Sequence, residues 1–144
     1  STPCCAGSCE GGDRMAFTVN NTEVRFEPEN PEYLEHLNAL PPEMDKLQSR
    51  LRRACLHLTK ENPYEVALAV DRIMRDRFDA LLGEKVCESI FGTTLLTGIC
   101  GGAPAWLNLL EGLFSQIKPG DMSKPNKAII KKYANWRRKY GGKI

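Results

Sequence analysis

NPYEVALAVDRIMRDRFDALLG, residues 62–83, is the stretch on which the fold turns. Asn62 is a strong N-cap, Pro63 suits a first helical position because no partner is needed for its missing N–H, and Glu65 places an acid in the first turn. Val66, Val70, Ile73, Met74, Phe78 and Leu81 then recur every three or four residues along one helical face. Asp71, Arg72, Arg75, Asp76 and Asp79 fall mainly on the opposite, wet face. Gly83 supplies the stop. A long helix with a single apolar stripe needs cover, so its neighbours must be amphipathic too.

Upstream, EPENPEYLEHLNALPPEMD (27–45) repeats the start signal at Asn30-Pro31. It predicts a short helix over 31–39, stopped by Pro41-Pro42, because proline removes a helix donor and clashes with the preceding turn. A second helix is expected over 42–60, with Met44, Leu47, Leu51, Ala54 or Cys55, and Leu58 on its apolar face. Before these, AFTVNNTEVRFE (16–27) alternates on both sides of Asn20-Asn21 and reads as a β-hairpin with Phe17, Val19, Val24 and Phe26 inward.

Downstream, GEKVCESIFG is a short helix bounded by Gly83 and Gly92. TTLLTGICGGAP is read as one more helical turn and a glycine break. Pro104 then starts a helix with the stripe Trp106, Leu107, Leu110, Leu113, Phe114 and Ile117. KPGDMSKPN links it to a final helix over 125–140, with Ile129, Ile130, Tyr133, Trp136 and Tyr140 on one side and cations on the other. The expected fold class is mainly α with a short N-terminal β-hairpin: 15–123 as a hairpin plus helical domain, 124–144 as a basic C-terminal helix and tail.

Residues 1–14 read differently. Glu10-Gly11-Gly12-Asp13 can be encoded as a ribosome-binding sequence one codon before Met15, where patterned sequence begins. The expectation is a natural start at Met15 and a leader or appended segment without structure before it. Cys4, Cys5 and Cys9 would then be incidental, and their C-C-x3-C spacing lacks the paired ligands of a structural zinc site. Neither a secretory h-region nor an apolar run long enough to cross a bilayer is present, which points to an intracellular chain with reduced thiols.

Charge is unevenly spread. Lys124 to the C-terminus carries eight basic residues and no acid, against 12 basic and 18 acidic residues in 1–123. Such a tail suits an acidic surface, whether nucleic acid, another protein or the body of the chain itself. Aromatics among cations can track phosphates and stack on bases. Their helical spacing favours docking on protein, and Tyr133, Trp136, Tyr140, Lys132, Arg137 and Arg138 are the candidate protein-binding residues.

Catalytic signals are weak. His36 and His57 sit in no nucleophile or metal motif, and GICGGAP lacks the lysine and hydroxyl of a phosphate loop. Cys55, Cys87 and Cys100 look like small core residues. The expectation is no enzyme, no cofactor and no metal.

Asp79, Gly83, Glu84, Ile90, Phe91 and Gly92, followed by Lys132, Tyr133, Asn135 and Arg138, carry a resemblance. They resemble the acid-x-x-x-G-E…I-F-G and K-Y-x-N-x-x-R segments of a family of small tailed-phage proteins, the siphophage tail assembly chaperones; Trp136 departs from that pattern. The resemblance implies a non-catalytic protein of the bacterial host cytoplasm. Its partners would be the tape measure and major tail proteins, with a homo-oligomer left open. Terminal Gly-Gly-Lys is also encodable as a slippery heptamer, which suits a family that makes a frameshifted longer product. The competing reading is a small nucleic-acid-binding regulator using the basic C-terminal helix.

Overall fold

In the computed structural model the chain is mostly helical, with five α-helices among the described residues and a short antiparallel sheet at the N-terminal side. The structure describes residues 6–8, 16–19 and 21–141. Side chains are described from Thr18 onward, except at positions 20, 119, 140 and 141. Strands β1 (Ala6–Ser8), β2 (Ala16–Val19) and β3 (Thr22–Val24) lie in that order. Val19 pairs with Thr22, leaving a two-residue loop in which Asn21 takes φ 65°, the left-handed value such loops require. Val19, Val24 and Phe26 are buried as expected, whereas the Phe17 side chain lies outside the described residues. Within the first 14 residues, expected to lack structure, Ala6–Ser8 pair antiparallel with β2.

Helix α1 runs from Pro31 to Cys55 and α2 from Pro63 to Leu82. Both start on an asparagine whose side chain accepts two backbone N–H bonds, and each has a proline in its first turn. In α2 the expected face is buried at Val66, Val70, Met74, Phe78 and Leu81, while Ile73 is only half-buried. The strand hairpin is tied to the end of α2 by Arg25 N–H donating to the Leu82 carbonyl at 2.8 Å. The Tyr33 hydroxyl holds the Arg25 carbonyl at 2.6 Å.

Three expectations are corrected. Pro41-Pro42 does not stop the first helix: both lie inside α1. Tyr33, Leu37, Leu40, Met44, Leu47, Leu51 and Ala54 form one stripe that passes the prolines without losing phase, and core contact holds the helix through them. Pro42 cannot donate to the Asn38 carbonyl one turn back. The buried Asn126 Nδ2 donates to that carbonyl instead, at 2.7 Å. The helix then ends at Cys55 rather than 60, with His57 at φ 59°, so Leu58 is exposed rather than on the apolar face.

The second correction concerns residues 93–104. In place of a helical turn, β4 (Ile99–Cys100) pairs with β5 (Ala103–Pro104) around Gly101 and Gly102. Both glycines have positive φ, 66° and 85°, as a type I′ hairpin loop demands. The third concerns polarity on α2. Asp71 and Arg75 are not on a wet face: their ion pair, 2.8 Å, is largely shielded. Asp71 also accepts the Leu96 N–H, and Arg75 donates to the Gly92 and Thr94 carbonyls, so the pair ties the 92–96 loop to α2.

Helix α3 (Val86–Phe91) starts with Asp79 accepting the Cys87 N–H at 2.9 Å. Helix α4 (Ala105–Phe114) places Trp106, Leu107, Leu110, Leu113 and Phe114 in the core. A 3₁₀ turn, Pro119–Asp121, leads to α5 (Lys124–Trp136), which continues into a π-helical turn, Arg137–Gly141.

Among the three described cysteines only Cys87 is buried. Cys55 and Cys100 are exposed, because α1 ends at the first and the glycine hairpin turns at the second. Burial raises the Cys87 thiol, and nearby Asp79 adds to the effect. Burial likewise raises the phenols of Tyr33 and Tyr133. A group with a raised folded-state pKa contributes stability below its unfolded value and loses it as pH rises. Stability should therefore fall above about pH 8.5 through Cys87, and again above about pH 10 through the tyrosines. In native protein at neutral pH, iodoacetamide should modify Cys55 and Cys100 at least about tenfold faster than Cys87. Peptide mass spectrometry reads this, and equal rates would contradict the burial.

Candidate protein-binding surface

Helix α5 is laid against α1 by two polar pairs with the same spacing. Asn126 bonds to Asn38, and the Tyr133 hydroxyl donates to Asp45 Oδ1 at 2.8 Å. Seven residues separate the partners on each helix, so the two run parallel with matching two-turn repeats. Ser123 caps α5 by accepting the Asn126 N–H, with Pro125 in the first turn.

The expected contact residues of the basic tail separate into distinct environments. Tyr133 is buried, with its ring edge-on to Trp106 at 5.5 Å and 77°. Desolvation, then the Asp45 carboxylate, raises its phenol, while Arg52 opposes the shift. Arg137 is half-buried and turned toward α4, donating to Asn108 Oδ1 at 2.6 Å and pairing with Glu111 at 2.7 Å. Lys132 is exposed, with its ammonium 5.2 Å from the Tyr133 ring centre. Trp136 is half-buried, tilted against Tyr133 at 5.7 Å, and Arg138 is exposed. The Tyr140 side chain lies outside the described residues. Tyr133 and Arg137 thus join α5 to its own molecule; Lys132, Trp136 and Arg138 remain at the surface.

Lys132 and Trp136 meet the last two turns of α1 across a groove of about 590 Å3. Gln48, Ser49, Leu51, Arg52 and Cys55 form its α1 wall, Lys132, Tyr133 and Trp136 its α5 wall, and Ile99 closes one side. Ile99 is 52% exposed. Beyond Cys55 lie the turn between α1 and α2 and the start of α2. There Leu56 (55%), Leu58 (66%), Tyr64 (72%) and Leu68 (43%) are open to solvent. Sequence reasoning placed Leu58 inside and left Leu56, Tyr64, Leu68 and Ile99 without a role. Leu68 lies one turn after Tyr64 on α2, off the buried stripe, which is the signal that was available.

Elsewhere, His36 lies beside the Glu43–Arg77 pair in a surface hollow between α1 and α2, and His57 is exposed in the turn after α1. A second cavity of about 300 Å3, between α3, α4 and the sheet, is lined mainly by apolar groups including Val19, Ile90, Phe91 and Leu109. Among the described residues no group of three or more histidines, cysteines or carboxylates is placed to hold a metal ion. Cys4, Cys5 and Cys9 lie outside those residues. No described helix is long and apolar enough to cross a membrane. Comparison with protein-family models, curated proteins and solved structures returns no match.

Proposed function

We propose that this protein is a non-catalytic assembly chaperone of the tailed-phage kind, acting in the bacterial host cytoplasm by binding the tape measure and major tail proteins. The observation that carries the reading is the groove between α1 and α5. It combines two aromatics, a leucine and an exposed isoleucine with flanking cations, the composition of a protein-binding patch. Exposed leucines beyond Cys55 add further open apolar surface, and scattered charges keep such a surface from self-association. The nucleic-acid reading needs aromatics free to stack on bases, yet Tyr133 is packed into the core. Its cations alone are a weaker argument.

Co-expression with a siphophage tape measure protein, the partner the proposal names, tests it. The expected result is a severalfold rise in that partner's soluble fraction and its co-purification with this chain. An insoluble tape measure protein that leaves no trace in the purified chain overturns the assignment.

A further inference from the structure

The groove carries information about the charge of what fills it. None of its nine lining residues is acidic, and two, Arg52 and Lys132, are cations. Neither has a carboxylate partner within ion-pair distance among the described residues, unlike Arg50, Arg75, Arg77 and Arg137. Arg53 adds a third cation in the last turn of α1, exposed Lys131 precedes Lys132 on α5, and exposed Arg138 lies in the π-helical turn that follows. Parallel packing of α1 and α5 produces this concentration, since it brings two basic C-terminal ends to one end of the molecule. Of the four acids of α1, Glu32 and Glu35 lie at the other end, and Glu43 and Asp45 lie mid-helix, where Glu43 pairs with Arg77 and Asp45 accepts the Tyr133 hydroxyl.

Length adds to charge. On α1 the wall extends from Gln48 to Cys55, a rise of about 10 Å along the helix. That equals the rise between positions i and i+7 of an opposing helix, whose anchors would fall at i, i+3 or i+4, and i+7.

We propose that the groove takes an acidic amphipathic helix from a partner polypeptide, its apolar side chains resting on Leu51, Trp136 and Ile99 and its carboxylates meeting Arg52 and Lys132. This rests on the protein-binding reading above and specifies the chemistry of the segment bound. Leucine-like groups at helical spacing fill the apolar floor, and carboxylates on both sides neutralise cations that the fold leaves unpaired. A basic helix with the same leucines is repelled.

Two synthetic helices of about 18 residues test the assignment, each with leucines at three- and four-residue spacing, one flanked by glutamates and the other by lysines. Binding is read by fluorescence anisotropy of the labelled peptide on the full chain. The glutamate peptide should bind at least about tenfold more tightly than the lysine peptide, and the difference should shrink as salt rises. Arg52→Glu with Lys132→Glu should reverse the preference. Ile99→Glu, at an exposed position where folding is not at risk, should weaken the glutamate peptide about tenfold or more, while circular dichroism stays unchanged.

Equal binding of both peptides, or unaltered binding by Ile99→Glu, overturns the inference. So does salt-sensitive binding of single-stranded or duplex DNA that the glutamate peptide displaces, which would make the groove a phosphate track. Tape measure co-purification retained in Ile99→Glu after peptide binding is lost removes the groove assignment and leaves the chaperone reading intact. Peptide binding without any rescue of the tape measure protein does the reverse.

Discussion

Trp106→Ala should lower stability by about 3–5 kcal/mol, the usual loss when a fully buried large aromatic is truncated. Trp106 is 0% exposed and holds three elements together. Its indole N–H donates to Gln48 Oε1 on α1 at 2.9 Å, its ring meets Tyr133 of α5 edge-on, and its backbone N–H donates to the Leu96 carbonyl. Truncation leaves a cavity where α1, α4 and α5 meet and strands a polar Gln48 group beside it. Thermal midpoints should drop on the order of 15 °C. Trp106→Phe, which keeps an aromatic ring but deletes the donor, should cost about 1–2 kcal/mol. A Trp106→Ala loss below about 1 kcal/mol by urea unfolding would mean that α5 is not seated on this residue.

The same variant bears on function. Trp106 does not line the groove, but Tyr133 does, and Trp106 supports the Tyr133 ring from behind. Loosening α5 would move Lys132 and Trp136 away from Arg52 and Leu51. Groove binding should therefore weaken before global unfolding begins, because a docked helix with few contacts opens locally at lower free energy than the core.

How much of this was legible depended on whether a residue's partner was near in sequence. The caps at Asn30 and Asn62, the α2 stripe and the α4 stripe obey local rules and came through. The hairpin at Asn20-Asn21 did as well. Pro41-Pro42 misled because the rule for proline is local, whereas the group that compensates for it, Asn126, lies 88 residues from the Asn38 carbonyl it bonds. A second signal was present: the stripe from Tyr33 to Ala54 keeps one phase across both prolines, which two independent helices would have no reason to do. Gly101-Gly102 could have been read as a type I′ loop, but the flanking strands are two residues each, too short to show alternation.

Charge misled in a different way. Asp71, Arg75 and Asp79 looked like wet-face residues because helical spacing assigns a face without saying what covers it. The loop around 92–96 and the start of α3 fold over that side, and their exposed backbone donors and carbonyls need partners. The candidate site was half visible for a similar reason. Aromatics at three- and four-residue spacing marked α5 as a docking helix, and it docks through Tyr133 on its own α1 and α4. The groove beside it arises from tertiary packing between α1, α5 and Ile99, and no single stretch of sequence encodes it.

Asn126→Ala should cost about 2–3 kcal/mol, and the reason lies in Pro42. A buried carbonyl without a donor costs about 1–3 kcal/mol, and the Asn38 carbonyl is such a group unless Asn126 reaches it. Asn126 is 0% exposed, so its truncation also leaves unfilled space between α1 and α5. Restoring the missing donor should make Asn126 less necessary. In a Pro42→Ala background the new N–H can bond to Asn38 in the ordinary helical way, and Asn126→Ala should then cost at least about 1 kcal/mol less. Asn126→Asp separates donation from volume: at neutral pH a buried carboxylate facing a carbonyl should be worse than alanine. Burial raises the pKa of such a group, so the variant should recover as pH falls and the protonated carboxyl becomes a donor, and lose stability again as pH rises. Chemical denaturation of the four proteins of the cycle decides the matter. Additive losses, with no coupling between positions 42 and 126, would show that the helix passes through its two prolines for some other reason.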